Sequence, residues 1–194
     1  NSKYVDVNKD GVYNDADQGI IGCGQPTFNW GWNNTFNYKN FDFSFFVVGF
    51  HGFDIYNATH QMGYNLIKSQ QMAGVTPMRE LLNRWTPTNT NTDIPGFVKG
   101  GTENKDFFST RFVENGSFIK MKSITLGYTL PEATCRSLGI NNLRVYASVQ
   151  NPFHITKYSG LDPEATMGSP LVQGVDWGAY PKGRNYLIGR NFSF

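Results

Sequence analysis

No stretch of about 18 consecutive apolar residues occurs in the 194-residue chain, so it has no candidate membrane-crossing helix. Charge is also scarce. Only 16% of residues are Asp, Glu, Lys or Arg and the net charge is +2, with no basic run to grip nucleic acid, so no nucleic-acid partner is expected. The three histidines are scattered, and there is no Gly-x-Ser-x-Gly, phosphate-cradling glycine loop or Cys-x-x-Cys, so no catalytic residues and no enzyme are expected. The carboxylates Asp54, Asp93, Glu103, Asp106, Asp162 and Glu164 read most simply as solvated loop and turn residues. An initiator Met and an apolar leader are missing from the opening Asn-Ser-Lys-Tyr, so the sequence reads as a fragment whose export signal is removed or lies upstream.

Glycine and aromatic residues are abundant instead. Phe28, Trp30, Trp32, Phe36 and Tyr38 alternate with Asn29, Gly31, Asn33, Thr35 and Asn37, a period of two that spells one long strand. It exceeds the usual soluble strand of about 5–6 residues and matches the roughly 9–11 needed to cross a tilted barrel wall. A turn at Lys39-Asn40 returns it as a second strand, Phe41 to Phe50. Further strands are expected at Phe118–Leu130, ended by Pro131, at Leu143–Pro152, and over the final run Arg184–Phe194. Between them, short helical stretches are expected at Tyr64–Met72 and, with Thr76 as N-cap and Pro77 following, through Met78–Trp85. Residues 52–116 otherwise read as one long loop, and 153–183 as another.

Short connections at one end and long ones at the other follow the loop rule of outer-membrane β-barrels. The fold expected is therefore all-β, a transmembrane antiparallel β-barrel fragment of five strands, about the last of a larger barrel. Its expected divisions are a loop over 1–26, hairpins over 27–51 and 117–152 flanking the long loop, the second long loop, and a terminal strand over 184–194. The spacing Gly189-x-x-Phe192-x-Phe194 resembles the C-terminal assembly signal of such barrels and puts Phe194 at the periplasmic side. The long loops then lie outside the cell. Cys23 and Cys135 fall on opposite rims, roughly 25 Å apart and too far for a disulfide.

Two sets of residues are candidates for binding. Asp6, Asn8, Asp10, Val12, Asn14 and Asp17, with Gly11 at the sixth position, fit a calcium-loop template of converging oxygen ligands, with Asp17 in place of the usual glutamate. The flanking residues do not read as the helix pair of an EF-hand, and a turn loop without metal uses the same residue types. Trp85, Tyr158, Trp177 and Tyr180 lie in the long loops, where rings can stack on a cargo or meet a partner, or pack the loops together. A secreted, calcium-stabilised β-sandwich that binds glycan would share the metal loop and the aromatics. It leaves the terminal Phe and the one-sided loops unexplained.

Several stretches in order resemble the SusC/RagA class of TonB-dependent outer-membrane transporters of Bacteroidetes. They are Asp6-Val-Asn-Lys-Asp-Gly11, Gly52-Phe-Asp54-Ile-Tyr56-Asn57, Arg84-Trp85-Thr-Pro87, Gly116-Ser-Phe118-Ile-Lys-Met-Lys122, Gln150-Asn151-Pro152 and Tyr158-Ser-Gly160-Leu-Asp162-Pro163-Glu164. The resemblance implies the C-terminal part of a barrel of about 22 strands with a plugged lumen. It also implies energy-coupled import of oligosaccharides or peptides across the outer membrane, with a SusD-like surface lipoprotein over the mouth. Contact with TonB would run through an N-terminal part absent from this sequence.

Overall fold

A computed structural model describes residues 5–12, 14–64, 77–96, 108–164 and 173–193, which form two compact units. The first contains residues 25–53, 115–165 and 180–194 and is built on one antiparallel sheet. Its strands are β1 (Phe28–Tyr38), β2 (Phe41–His51), β5 (Phe118–Thr129), β6 (Asn142–Gln150) and β9 (Asn185–Ser193), in that spatial order, with β7 (His154–Thr156) also on β5. The five long strands stand where alternation placed them. The path is open, with β1 and β9 at its two edges.

Register turns five separate alternations into two coherent faces. Trp32 pairs with Val47, Phe36 with Phe43, Phe45 with Ile124, Ile124 with Val149 and Val149 with Tyr186, so the apolar sets of all five strands share one face. Asn33, Thr35, Ser44, Thr125 and Ser148 share the other. Large side chains on the apolar face are left uncovered: Trp32 is 54% exposed and Ile188 89%. Rings there still order one another, Trp32 edge-on to Phe45 with centroids 5.2 Å apart and Phe36 stacked on Phe43 at 6.3 Å. Half-buried Asn34 also lies on this face, and nothing in the structure explains it.

The turn between β1 and β2 puts Lys39 at φ +52°, and Asn40 is tied to Thr129 through both its carbonyl (2.8 Å) and its side-chain amide (2.7 Å). Between β5 and β6, α2 (Glu132–Ser137) buries Cys135, whose thiol points at the Leu130 carbonyl 3.7 Å away. Cys23 and Cys135 are not joined in a disulfide. The expected strand end at Pro152 is instead a kink. Asn151, at φ +50°, donates to the Lys122 carbonyl at 2.9 Å, Phe153 accepts from Met121 at 3.1 Å, and the chain resumes pairing with β5 as β7. Opposite this kink the β2–β5 register steps from Phe46–Ser123 to Val47–Met121, leaving Lys122 without a partner on β2. Such a bulge re-aims side chains, and the charges considered below sit beside it.

The second unit contains residues 1–24, 54–114 and 166–179. The long connection over 52–116, expected to be loop with two helices, forms a small sheet with part of the one over 153–183, also expected to be loop. Here β3 (Asp54–Asn57) lies between β4 (Val113–Asn115) and β8 (Val175–Asp176), pairing with β8 in parallel. Tyr56, Ala58 and Phe112 form its core, with Tyr64, Val113 and Val175 against them. A helix forms ahead of the one expected at Tyr64–Met72, which beyond Tyr64 lies outside the described residues. α1 spans Ala58–Tyr64 because Asn57 accepts the His60 N–H (2.9 Å) as its N-cap, while the same amide donates to Glu114 (2.9 Å). Residues 65–72 and Thr76 lie outside the described residues. In place of the second helix there is a 3-10 turn, Arg79–Asn83. It stops there because the Asn89 side chain takes the carbonyls of Asn83 and Arg84, at 3.3 and 3.2 Å.

Candidate functional site on the polar face of the sheet

Arg144 on β6 reaches across β5 to Asp42 on β2. Its Nε donates to Oδ1 at 2.9 Å and its Nη2 to Oδ2 at 2.5 Å, a two-point pair on the polar face. The residue crossed is Gly127, and a Cβ there would collide with both the carboxylate and the guanidinium. Arg144 also stands 5.0 Å from the ring centre of Tyr146, and Tyr146 lies over Gly189 of β9, where a Cβ would meet the ring. Thus Gly189, assigned above to an assembly signal, has a packing partner in the sheet. Phe192 is exposed on the apolar face, and Phe194 lies outside the described residues. We predict that Gly127→Ala lowers the unfolding free energy of the protein by about 1–3 kcal/mol, the usual cost of an overpacked site. In an Asp42→Ala background the same change costs much less; equal costs in the two backgrounds refute the crossing.

A second charged cluster was hidden in the sequence. Lys120 and Asp162 are nearly fully buried, at 2% and 3% exposure, and pair at 2.8 Å. Glu164 is shared by Lys122, Lys120 (2.9 Å) and Lys182 (3.2 Å). The backbone joins in, because Asp162 accepts the N–H of Glu164 (3.1 Å) and of Lys182 (3.3 Å). Asp162 and Glu164, expected to be solvated turn carboxylates, are therefore an ionic seat that joins their turn and Lys182 to β5. Lys120 and Lys122, two charges in an otherwise apolar strand start, were the signal for it.

Burial pushes the Glu164 carboxyl up, but hydrogen bonds and charge from Lys122 and Lys120 prevail and bring it down to about 2. Asp162 is lowered as well: burial opposes ionisation, and Lys120 with the Glu164 and Lys182 N–H groups outweighs it. A carboxylate lowered on folding adds stability above its ordinary pKa that is lost as pH falls through the folded value. Acid unfolding between pH 4.5 and about 2 is therefore expected to be steeper in the native protein than in Glu164→Gln, by up to about 3 kcal/mol across that window. Parallel pH profiles would remove Glu164 from this role.

In the second unit, the six residues of the calcium template form a closed oxygen-rich loop. Asp6 accepts the N–H groups of Asp10 (3.2 Å) and Gly11 (2.8 Å), Gly11 turns at φ +81°, and Asp10 accepts from Val12 (2.8 Å). Asp17 accepts from Asn14 (3.0 Å) and Val7 (2.9 Å), tying the end of the loop to its start, and the Asn14 N–H in particular holds its carboxyl below the usual range. Asn8 joins by accepting the Asp10 N–H at 3.0 Å. No group of three or more His, Cys, Asp or Glu side chains is gathered at metal-binding distance among the described residues. Donors here are mixed, carboxylate with amide and the Val12 carbonyl, a set that suits a hard cation. Of the four loop aromatics, Tyr158 is buried against Gly160, Trp85 and Trp177 are half exposed, and Tyr180 is 91% exposed.

No family model matches the chain. It is 35% identical to TonB-dependent receptor P3 of Formosa agariphila over 98% of its own length, and 31% identical to TonB-dependent receptor SusC of Bacteroides thetaiotaomicron, also over 98%. It spans about a fifth of those proteins, 19% and 17% of their lengths. Its fold matches a solved structure of the RagAB peptide transporter with a TM-score of 0.77 and 26% identity, over 94% of this chain and 19% of that one.

Proposed function

The chain belongs to the SusC/RagA class of TonB-dependent receptors, and on that premise we propose that it forms part of the barrel wall of an outer-membrane importer. The observation that carries this reading is the sheet with one uncovered apolar face and one polar face, continuous through five strands in register. The apolar face meets outer-membrane lipid and the polar face lines the lumen. Arg190 is consistent with this, since it lies near the end of β9, 5.8 Å from the ring of Phe192, where a long cation reaches the interface. The connections over 52–116 and 153–183 are extracellular, and the Lys39-Asn40 turn and α2 are periplasmic.

In this proposal the whole receptor imports oligosaccharides or peptides, draws energy through TonB, and is covered by a SusD-like lipoprotein. The named relatives are receptors and a transporter, and no catalytic step is proposed. The test is uptake of labelled oligosaccharides and oligopeptides by cells with and without the receptor gene, with the proton gradient intact or dissipated. Gene-dependent, gradient-dependent uptake of either cargo is expected. Uptake of neither, or recovery of the receptor in the soluble fraction, overturns the proposal. The sandwich alternative lacks support, because the long strands form one open sheet.

We also propose that Asp6, Asn8, Asp10, the Val12 carbonyl, Asn14 through water, and Asp17 hold a structural Ca²⁺. Metal analysis of the dialysed receptor is expected to find one calcium that Asp10→Ala loses. Unchanged metal content in that variant sinks this assignment.

A further inference from the structure

Tyr180 is the most exposed of the four loop aromatics, and it stands two residues before a doubly held lysine. Pro181 follows it, which confines the backbone of Tyr180 to extended conformations. Lys182 comes next and is held twice: its N–H donates to Asp162 at 3.3 Å and its ammonium lies 3.2 Å from Glu164. Those carboxylates are themselves seated on Lys120 and Lys122 of β5. A large ring left 91% exposed beside a proline and a doubly held lysine suits a binding surface, because less ordering entropy remains to be lost on binding.

We propose that Tyr180 is a cargo-contacting ring and that Asp162, Glu164 and Lys182 are its positioning residues. The ligand chemistry is a flat face rich in C–H groups, as on a pyranose ring or an apolar peptide side chain, stacking on the phenol. The assignment rests on the import function proposed above. It reaches beyond that reading by naming the ring and the ionic mount that aims it. Glu164 is the centre of the mount, since it alone touches all three lysines.

The experiment uses the full-length receptor in outer membranes, with Tyr180→Cys carrying a nitroxide and Cys23→Ser removing the exposed native thiol of this segment. Glu164→Gln and the milder Lys182→Gln are each expected to shorten the rotational correlation time of the label several-fold. Glu132→Gln, which breaks only the exposed pair with Arg136 in α2, leaves it unchanged. Uptake is then measured without the label, for a linear oligosaccharide and an oligopeptide in parallel. Tyr180→Ala and Lys182→Gln are expected to raise the half-saturation concentration of the imported cargo more than they lower the maximal rate, and the cargo affected identifies the ligand. An unchanged label spectrum in a folded barrel overturns the mount. A spectrum that changes only together with loss of the folded, heat-modifiable band does the same, reducing the cluster to a structural role. Gradient-dependent uptake whose half-saturation ignores Tyr180→Ala overturns the contact. Absence of uptake in the unmutated receptor counts against the import reading, and the label spectra still decide the mount.

Discussion

Replacing Lys120 with methionine is expected to destabilise the full-length receptor by about 3–5 kcal/mol, the range for breaking a buried ion pair by removing one partner. The reason is what stays behind. Among the described residues, Asp162 would remain buried with only backbone N–H groups to face its charge, whereas Glu164 keeps Lys122 and Lys182. The loss is read as the temperature or urea concentration at which the fast-migrating folded barrel disappears from gels. A second variant separates lost attraction from stranded charge. Adding Asp162→Leu to Lys120→Met removes the orphaned carboxylate, and the double variant is expected to be more stable than the single one, although it forfeits the two N–H contacts. If Lys120→Met falls by less than about 1 kcal/mol, the value of an exposed pair, the burial of this cluster is not what holds it.

The long strands were legible because alternation needs no knowledge of partners. Trp32 and Asn33 declare their opposite faces within one strand, and five such strands give the sheet. What stayed illegible depends on where distant segments return. Lys120 and Asp162 are 42 residues apart, and nothing local in Leu-Asp-Pro-Glu distinguishes a solvated turn from an ionic seat. Gly127 likewise reads as a gap in β5 until Asp42 and Arg144, 102 residues apart, are seen to meet above it. The second unit was missed for another reason. Its strands run over four, three and two residues, too short for a period of two to register, so a folded unit read as loop. Asn57 was the one local sign there, an N-cap residue directly ahead of α1.

Adjacent residues of β1 offer the most direct test of which face meets lipid. Trp32 and Asn33 lie near the middle of the 11-residue strand, at nearly the same depth, and point to opposite sides. If the apolar face meets the hydrocarbon, Trp32→Arg places a guanidinium near the midplane and is expected to cost about 2–4 kcal/mol. It also forfeits the edge-on contact with Phe45. Asn33→Arg puts the same group on the polar face beside a hydrated lumen and is expected to stay within about 0.5 kcal/mol of the native receptor. Loss of the aromatic contact alone is bounded by Trp32→Leu, which keeps an apolar side chain there, so the excess of Trp32→Arg over Trp32→Leu measures the charge in lipid. Each is read as the urea midpoint of the receptor in bilayers of one lipid. Equal costs for arginine at the two positions would mean that neither face is set against hydrocarbon. A larger cost at Asn33 would turn the wall inside out, putting the asparagine-lined face toward lipid and the aromatic rings toward the lumen.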